Sequence, residues 1–365
     1  MVENKTEFDY PVSMCELLTI TSNKGASDLH MVCGYPPSIR IGGNINVLDY
    51  PIIKPNQMEG LLFTVLEAWQ QENLKRNWEL DFSYSVDGVA RFRGNIMRQR
   101  GTYAAAFRVV PYTVPQFDDL GLPMEIKNLC SLSRGLVLVT GPTGSGKSTT
   151  LASLIDIINN TRRVSIITIE DPIEFLHRHN KSTIRQREIG IDTHSFADGL
   201  KYMLRHDPDV ILIGEMRDEE SMAIALTAAE TGHLVFSTLH TQTAPLTISR
   251  VVDAFNDEKK NQIRQQLANT LKAVISQQLI PTEVGHERVL ALEYMVSTPA
   301  IRNLIREGKE HQLYNSIQTG QSFNMRTMDQ SLVRLYNQGK ISKDNVYEHC
   351  VERKEIDRLI NMMYV

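Results

Sequence analysis

Apolar and polar positions in the first 110 residues predict a small unit of helices and antiparallel strands. Residues Met14–Asn23 and 57–74 carry apolar side chains at helical spacing, whereas "PPSIRIGGNINVL", "ELDFSYSV", "ARFRGNIMRQRG" and "TYAAAFRVV" alternate with period two. Turn-forming pairs such as Asp87-Gly88 separate the later segments, which is typical of a meander of strands. We predict an α+β domain over residues 1–110, followed at 111–123 by a proline-rich flexible linker, "PYTVPQFDDLGLP".

From Leu136 onward, apolar runs alternate with longer helical segments. Strand-like "GLVLVT", "VSIITIE", "DVILIGE" and "HLVFSTLH" alternate with segments that we assign to helices, namely "STTLASLIDIINN", "STIRQREI", "FADGLKYMLRH" and "EESMAIALTAAE". This alternation predicts an α/β domain with a largely parallel sheet covered by helices on both faces. We place that domain at residues 124–297 and a nearly all-helical C-terminal region, broken by glycines, at 298–365.

Composition narrows the classes of function. The chain has 365 residues, of which 42% are hydrophobic and 22% charged, with a net charge of -4 and a pI of about 6.2. This balance disfavours a nucleic-acid motor and gives no overall attraction to anionic lipid. No apolar run is long enough for a membrane span and no secretion leader is visible. Four scattered cysteines without a C-x-x-C pair indicate reduced thiols, so we expect a cytoplasmic protein.

A glycine-rich segment between a predicted strand and a predicted helix satisfies the pattern G-x-x-x-x-G-K-[ST]. Its glycines let backbone amides surround a β-phosphate, and the helix N-terminus adds partial positive charge. Lys147 is expected to reach the β- and γ-phosphates of ATP, and the Ser148 hydroxyl to ligate Mg²⁺. The predicted nucleotide-binding residues are Gly141, Pro142, Thr143, Gly144, Ser145, Gly146, Lys147, Ser148 and Thr149.

Acidic residues follow two of the predicted strands. Glu170 and Asp171 follow "IITI", and Glu215 follows "VILIG". Because the carboxyl ends of parallel strands converge on the crevice beside the phosphate loop, these carboxylates should face the γ-phosphate. There a carboxylate can orient a water molecule or hold a metal ion through its hydration shell. Gly214 stands where a magnesium-binding acid is usual, so Glu170 and Asp171 are candidates for that role, although Asp171 could equally be a solvated strand-end residue.

Two histidines flank the next strand. His240, at its end, could sense the γ-phosphate or couple it to the sheet as a hydrogen-bond donor. His233, before the strand, is as compatible with a structural role as with a functional one.

Four segments together resemble the secretion-ATPase superfamily. "GPTGSGKST", "IITIEDPIEFLHR", "DPDVILIGEMRD" and "TGHLVFSTLHT" are similar in order and spacing to its Walker A, Asp-box, Walker B and His-box motifs. "KGASDLHM", "DFSYSVDGVARFRGN" and "AAFRVVP" resemble its PAS-like N-terminal domain, so the resemblance covers nearly the whole chain and implies a RecA-like P-loop ATPase domain. The short chain, the lack of a paired C-x-x-C motif, and "AIRNLIREGK" (Ala300–Lys309) with "IQTG" downstream resemble the PilT group of type IV pilus retraction ATPases.

The resemblance implies roles for individual residues. Glu215 would be the catalytic Walker B glutamate, and His240 the His-box sensor. Glu170 and Asp171 would help to hold Mg²⁺ and water. The ring would be a homohexamer with ATP between the two domains and near the next subunit, and an arginine of the N-terminal domain would reach the nucleotide in trans. The candidates for that arginine are Arg93 and Arg108.

The same resemblance implies a motor that uses ATP hydrolysis to power pilus retraction and twitching motility. Its partners would be an inner-membrane pilus platform protein and, in some systems, a paralogous retraction ATPase, and it would lie on the cytoplasmic side at the base of the pilus. Two alternatives stay open: an accessory ATPase of the PilU group, and an ATPase of a related type II or type IV secretion system. The segment Ala300–Lys309 could pack on the ATPase core as an amphipathic helix, dock on a neighbour through its polar face, or do both.

Overall fold

The computed structural model describes residues 10–110, 113–283 and 287–361. The chain divides into two compact units, Met1–Thr113 and Val114–Val365, each with its own hydrophobic core. The predicted fold class, an α+β unit followed by a P-loop α/β unit with C-terminal helices, is confirmed. Among the helices in these ranges, none combines the length and the apolar character needed to cross a bilayer.

The first unit contains a six-stranded antiparallel sheet with strand order β3-β2-β1-β6-β5-β4. Its elements are α1 (Met14–Asn23), β1 (Asp28–Val32), β2 (Ser38–Ile41), β3 (Asn44–Val47), α2 (Pro55–Phe63), α3 (Ala68–Asn77), β4 (Glu79–Val86), β5 (Ala90–Gln99) and β6 (Thr102–Val110). The predicted limits of α1 are confirmed, because Ser13 and Glu16 cap its start reciprocally in a capping box.

The helical spacing over residues 57–74 belongs to two helices rather than one. The first helix, α2, ends at Phe63, and the hydroxyl of the next residue, Thr64, donates to the Leu61 carbonyl. The second helix, α3, begins after Glu67, whose amide donates to the Gln70 side chain. Apolar residues continue through the break, since Val65 and Leu66 are buried. Periodicity alone therefore could not locate it.

The second unit is built on a seven-stranded sheet with order β13-β12-β7-β11-β10-β8-β9, parallel except for β13, which pairs antiparallel with β12. The strands are β7 (Gly135–Thr140), β8 (Ser165–Glu170), β9 (Thr183–Glu188), β10 (Val210–Ile213), β11 (Leu234–Leu239), β12 (Leu271–Pro281) and β13 (Arg288–Val296). The helices up to β13 are α4 (Met124–Lys127), α5 (Lys147–Thr161), α6 (Phe196–Met203), α7 (Glu219–Glu230), α8 (Ala244–Asp253) and α9 (Asp257–Thr270). The predicted parallel arrangement places the ends of β7, β8, β10 and β11 along one edge.

The helix predicted for "STIRQREI" is wrong, because this segment forms strand β9. Thr183–Glu188 pairs in parallel with Ser165–Glu170 at the edge of the sheet. Ile184 and Glu188 are buried while Thr183 and Arg185 are exposed. A six-residue polar strand of this kind contains too few apolar positions for period two to be distinguished from helical spacing.

Part of the segment predicted as a flexible linker is packed. Phe117–Leu120 forms a 3₁₀ turn, and both Phe117 and Leu122 are buried in the core of the second unit. Pro111 and Tyr112, at the start of the predicted linker, lie outside the described residues. Of the residues that suggested a linker, Pro115, Gly121 and Pro123 instead flank this packed turn.

The C-terminal region is helical, as predicted, and continues the second unit. Its helices are α10 (Pro299–Arg306), α11 (Leu313–Gln318), α12 (Met328–Asn337), α13 (Lys343–His349) and α14 (Arg353–Asn361). Apolar residues of α12, α13 and α14 form a cluster with Ile280 of β12 and Ala291 of β13. Within the same region lies a fully buried carboxylate, Glu293, which accepts hydrogen bonds from the backbone amides of Ala244 at 2.6 Å and Met328 at 3.4 Å.

We expect Glu293 to make stability depend on pH. Burial raises the pKa of its carboxyl from 4.5 to about 7, so the stabilisation is complete below about pH 4.5 and is lost as the pH rises through about 7. Between about pH 5 and about pH 8, urea unfolding of the wild type should lose about 2 kcal/mol more than unfolding of Glu293→Gln, which cannot ionise. Equal pH dependence in the two proteins would contradict this assignment.

Candidate nucleotide-binding and catalytic site

A cavity of about 580 Å³ lies within the second unit at the carboxyl ends of the central parallel strands. Its volume falls in the range of small-molecule sites. The lining includes six residues of the predicted phosphate loop and all the predicted strand-end carboxylates. These lining residues are Thr143, Gly144, Gly146, Lys147, Ser148, Thr149, Glu170, Asp171, Glu215 and His240. The structure therefore brings together the residues that sequence reasoning placed around a γ-phosphate.

The phosphate loop connects the end of β7 to the start of α5. Gly141, Gly144 and Gly146 all have positive φ, at 140°, 79° and 87°. At Gly141 a side chain is also excluded by space, since a Cβ atom would overlap the carbonyl oxygen of Gln277. The buried Ser145 hydroxyl has no hydrogen-bond partner among the described residues. A loop with an orphaned donor at the head of a helix fits an anionic ligand.

The Lys147 ammonium is held inside its own loop. It donates to the carbonyl oxygens of Gly141 at 2.8 Å and Pro142 at 2.9 Å. Burial lowers the pKa of Lys147, while Glu215 and Glu174 act in the opposite direction. A cation held between carbonyl oxygens and nearby carboxylates is positioned to meet a phosphate that enters the loop.

Glu215 is the centre of a charged network. Its two carboxylate oxygens contact His240 Nε2 at 3.1 Å and Arg217 Nε at 2.8 Å. Arg217 Nη1 also lies 3.7 Å from Asp171. The Glu215 side chain is 19% exposed, whereas the His240 side chain is 49% exposed. The glutamate is therefore mostly covered by protein, and the imidazole is open to solvent. The network holds one carboxylate in a fixed direction at the mouth of the phosphate loop.

Glu170, half-buried like Glu215, is held by neutral groups. Its Oε1 accepts hydrogen bonds from Thr168 Oγ1 at 2.6 Å and Gln186 Nε2 at 3.1 Å. Burial raises the pKa of Glu170 to about 7, although both hydrogen bonds act to lower it. Near neutral pH this carboxyl is close to the midpoint of its titration, which suits a group that exchanges a proton with water.

The glycine at position 214 has a steric reason. Its amide donates to the Ile169 carbonyl at 2.8 Å, and a Cβ atom at Gly214 would lie 3.2 Å from Glu170 Cα and 3.3 Å from that carbonyl oxygen. A carboxylate at this position would press on the strand that carries Glu170. The nearby strand-end acids, Glu170 and Asp171, lie at the end of the neighbouring strand β8 instead.

The donor set suits Mg²⁺ better than a metal that needs several protein ligands. Within the described ranges, no group of three or more histidine, cysteine, aspartate or glutamate side chains is arranged to hold a metal. Mg²⁺ usually takes one or two protein oxygens and completes its shell with water and substrate phosphates. The half-buried Ser148 hydroxyl and the exposed Asp171 carboxylate are such hard oxygen donors, and both line the cavity.

The two arginines predicted to act in trans lie on the first unit. Arg93 on β5 and Arg108 on β6 are paired directly across the sheet, and both are exposed. Arg108 Nε forms an ion pair with Asp28 at 2.9 Å. His233, whose role was open, lies outside the cavity lining with its ring nitrogen 2.9 Å from the Ala228 carbonyl, which indicates a structural role.

Sequence reasoning missed two residues that contact the carboxylates of the site, Arg217 and Gln186, and one buried acid outside the cavity lining, Glu293. Arg217 belongs to the quoted "GEMRD" segment, but nothing local predicted its contact with Glu215. Gln186 was missed because its strand was assigned as a helix. Glu293 had a signal, since an acid within the apolar run "RVLALEYMV" indicates a buried carboxylate that needs partners.

Comparison with known proteins identifies the family to which this chain belongs. The family described as "Type II/IV secretion system protein" matches residues 107–361, well over half of the chain. "Type IV pilus retractation ATPase PilT" of Pseudomonas aeruginosa is 48% identical over 337 residues, which are 92% of this chain and 98% of that protein. "Type IV pilus ATPase PilU" of the same organism is 36% identical over 347 residues, which are 95% of this chain and 91% of that protein.

Solved structures agree with the sequence comparison. The crystal structure of "the Pilus Retraction Motor PilT and Bound ADP" superposes with a TM-score of 0.89 at 48% identity, covering 95% of this chain and 99% of that one. The Legionella pneumophila ATPase DotB gives a TM-score of 0.81 at 28% identity, covering 93% of this chain and 96% of that one. The chain belongs to the type II/IV secretion system protein family and, within it, to the PilT group of type IV pilus retraction ATPases.

Proposed function

We propose that this protein hydrolyses ATP in the cavity between Lys147 and Glu215 and that the energy withdraws a type IV pilus. The observation that carries the proposal is the convergence of the phosphate loop with the Glu215–His240 pair in one cavity. Nearly full-length similarity to a pilus retraction motor supports retraction, rather than assembly, as the work that hydrolysis performs.

We propose a separate task for each residue of the cavity. Lys147 and the amides of the phosphate loop bind the β- and γ-phosphates. Glu215, fixed by Arg217, orients the attacking water in line with the γ-phosphate, and His240 donates a hydrogen bond to the transferred group. Glu170, which lines the same cavity, would help to hold the water of the metal ion.

Ser148 and Asp171 are the residues that would hold Mg²⁺. The ion supplies neutralisation of the charge that develops on the phosphate oxygens. Asp171 also contacts Arg217, so occupation of the metal site would change the balance of charge around Glu215.

We propose that the protein works as a homohexamer in which the N-terminal domain of one subunit supplies an arginine to the nucleotide of another. An arginine that completes the charge around the transferring group accounts for a rate factor of about 10³ or more in related phosphoryl transfers. Arg93 is the stronger candidate, because Arg108 is engaged by Asp28 within its own unit. Because this arginine is supplied by a separate domain, each turnover is linked to domain motion.

The partner we propose is an inner-membrane platform protein at the cytoplasmic base of the pilus, with a paralogous retraction ATPase as a possible companion. A main motor is favoured over an accessory one because the Glu215–His240–Arg217 network is complete and identity is higher to PilT than to PilU. Deletion of the gene tests this function. Cells should keep or gain surface pili and stop twitching, whereas bald cells would point to pilus assembly and overturn the proposal.

Helix α10 provides a test of docking. Ile301 and Ile305 are buried, so this face packs on the core, while Arg306 is exposed and donates to Asn269 at 3.1 Å. We expect Arg306→Ala to impair pilus withdrawal severalfold while ATP turnover stays within about twofold, because a surface residue outside the cavity contributes little to stability. Leu304, half-buried on the same helix, should behave similarly when replaced by alanine, with some loss of stability.

Tracking of single labelled pili together with an ATPase assay measures both quantities. Lys343→Ala is the control, since Lys343 is exposed on α13 and lies outside the segment Ala300–Lys309. Normal withdrawal in the Arg306 variant would leave α10 with a packing role alone.

A further inference from the structure

One buried carboxylate joins the starts of two helices. Glu293, in the middle of β13, is 0% exposed and accepts from the amides of Ala244 and Met328, the first residues of α8 and α12. The two helices also have threonine N-caps, Thr243 and Thr327. The first amides of a helix have no partner within that helix, so one side chain that accepts from the first residue of both helices stabilises both starts.

The first of these helices begins directly after the catalytic loop. β11 ends at Leu239, His240 follows, and α8 starts at Ala244. Inside this short connection, Thr241 Oγ1 lies 2.7 Å from Thr247 Oγ1 of α8. The loop that carries His240 is therefore fixed at one end by the central sheet and at the other by the hydrogen bond from Ala244 to Glu293.

We propose that Glu293 is a positioning residue for ATP hydrolysis. By holding the start of α8 it fixes the loop that places the His240 imidazole on Glu215, and by holding the start of α12 it ties that loop to the C-terminal helices. The inference rests on the proposed function, because it concerns turnover in the same cavity. Glu293 is absent from the lining of that cavity, so it acts through His240 rather than on the nucleotide.

The Glu293→Gln variant tests the proposal with little change of shape. A glutamine can accept one of the two amide hydrogen bonds through its oxygen, but its NH₂ group then faces the second amide donor. The start of α8 or of α12 is released in consequence.

Asp329→Asn is the matched control. Asp329 is also 0% exposed and accepts two backbone amides, those of Val351 at 2.8 Å and Glu352 at 3.1 Å, together with the Tyr314 hydroxyl at 3.1 Å. Its contacts hold the segment before α14 and do not involve the His240 loop. The two variants remove the same kind of interaction from the same region.

Steady-state kinetics of the purified full-length proteins give the first readout. Glu293→Gln should lower kcat about tenfold or more with KM for ATP unchanged within about twofold, because misplacement of a catalytic group affects the chemical step while the phosphate loop is intact. Asp329→Asn should keep kcat within about twofold of the wild-type value, even if this variant loses as much thermal stability as Glu293→Gln does. Wild-type kcat in Glu293→Gln, or an equal loss in both variants, would overturn the proposal.

A double-mutant cycle with His240→Ala gives the second readout. If Glu293 acts through His240, the kcat of the double variant should lie within about twofold of the kcat of His240→Ala. The reason is that the effects of residues that act as a unit do not add. Losses that multiply would show that Glu293 acts by another route. Should Glu293→Gln fail to fold, Glu293→Asp serves instead, because it keeps a carboxyl group but is too short to reach both amides.

The same assays separate this inference from the proposed function. A folded wild-type ring without ATP turnover would overturn the proposed function and the role of Glu293 with it. An active wild type with an equally active Glu293→Gln variant would overturn the positioning role alone.

Discussion

Replacement of Lys147 by alanine is expected to reduce ATP turnover by at least about a hundredfold, because the transferring phosphate loses its nearest buried cation. The Lys147 ammonium lies between the Gly141 and Pro142 carbonyl oxygens and within the influence of Glu215. Without it, the cavity keeps its carboxylates and becomes repulsive to a triphosphate. ATP affinity should therefore fall together with turnover.

An ATPase assay and a binding titration on the purified protein measure both losses. Lys181→Ala is the control, since Lys181 is exposed and lies outside the lining of the cavity. Turnover that survives in Lys147→Ala would refute the assignment of the phosphate site.

Glu215→Gln is expected to show a different pattern. The amide keeps the size of the side chain but cannot polarise the attacking water, so turnover should fall by at least about a hundredfold, while the affinity for ATP stays within about threefold. Loss of the Glu215 charge also releases Arg217 and His240, which the carboxylate holds at 2.8 and 3.1 Å. The nucleotide should then be trapped unhydrolysed.

Radiolabelled or fluorescent ATP retained on the purified variant measures this trapping. Glu219→Gln provides the matched change, because Glu219 follows a few residues later but pairs with Lys259 at the protein surface. A Glu215→Gln protein that turns over ATP at the wild-type rate would place the catalytic carboxylate elsewhere, with Glu170 as the next candidate.

The parts of the site predicted from sequence are those encoded by short segments. The phosphate loop needs only glycines, Lys147 and Ser148 between a strand and a helix, and that context is visible in the amino-acid order. The carboxylates Glu170 and Glu215 were located because parallel strands end at one edge of the sheet. In each case a local pattern and one rule of topology were sufficient.

The parts that sequence missed depend on contacts between distant segments. Gln186 reaches Glu170 only because β9 pairs with β8, and the pattern of β9 is too short and too polar to identify. Glu293 reaches Ala244 across 49 residues of sequence. Arg217 depends on side-chain direction at a strand end, which periodicity does not determine.

The break between α2 and α3 and the packed turn at Phe117–Leu120 show the same limit for the fold. Apolar residues continue through the break between α2 and α3, although a helix boundary lies there. Proline and glycine flank Phe117–Leu120, although that turn is part of a core. Whether such a segment is buried is decided by its neighbours in space.

The proposed function is that ATP cleavage beside Glu215 drives pilus withdrawal. Its most direct test is to replace the chromosomal gene with the Glu215→Gln allele and to follow single fluorescent pili on living cells. Pili are expected to extend and then stay extended, on cells that carry as many pili as wild type or more. Pili that withdraw at the normal frequency and speed, or cells without pili, would contradict it.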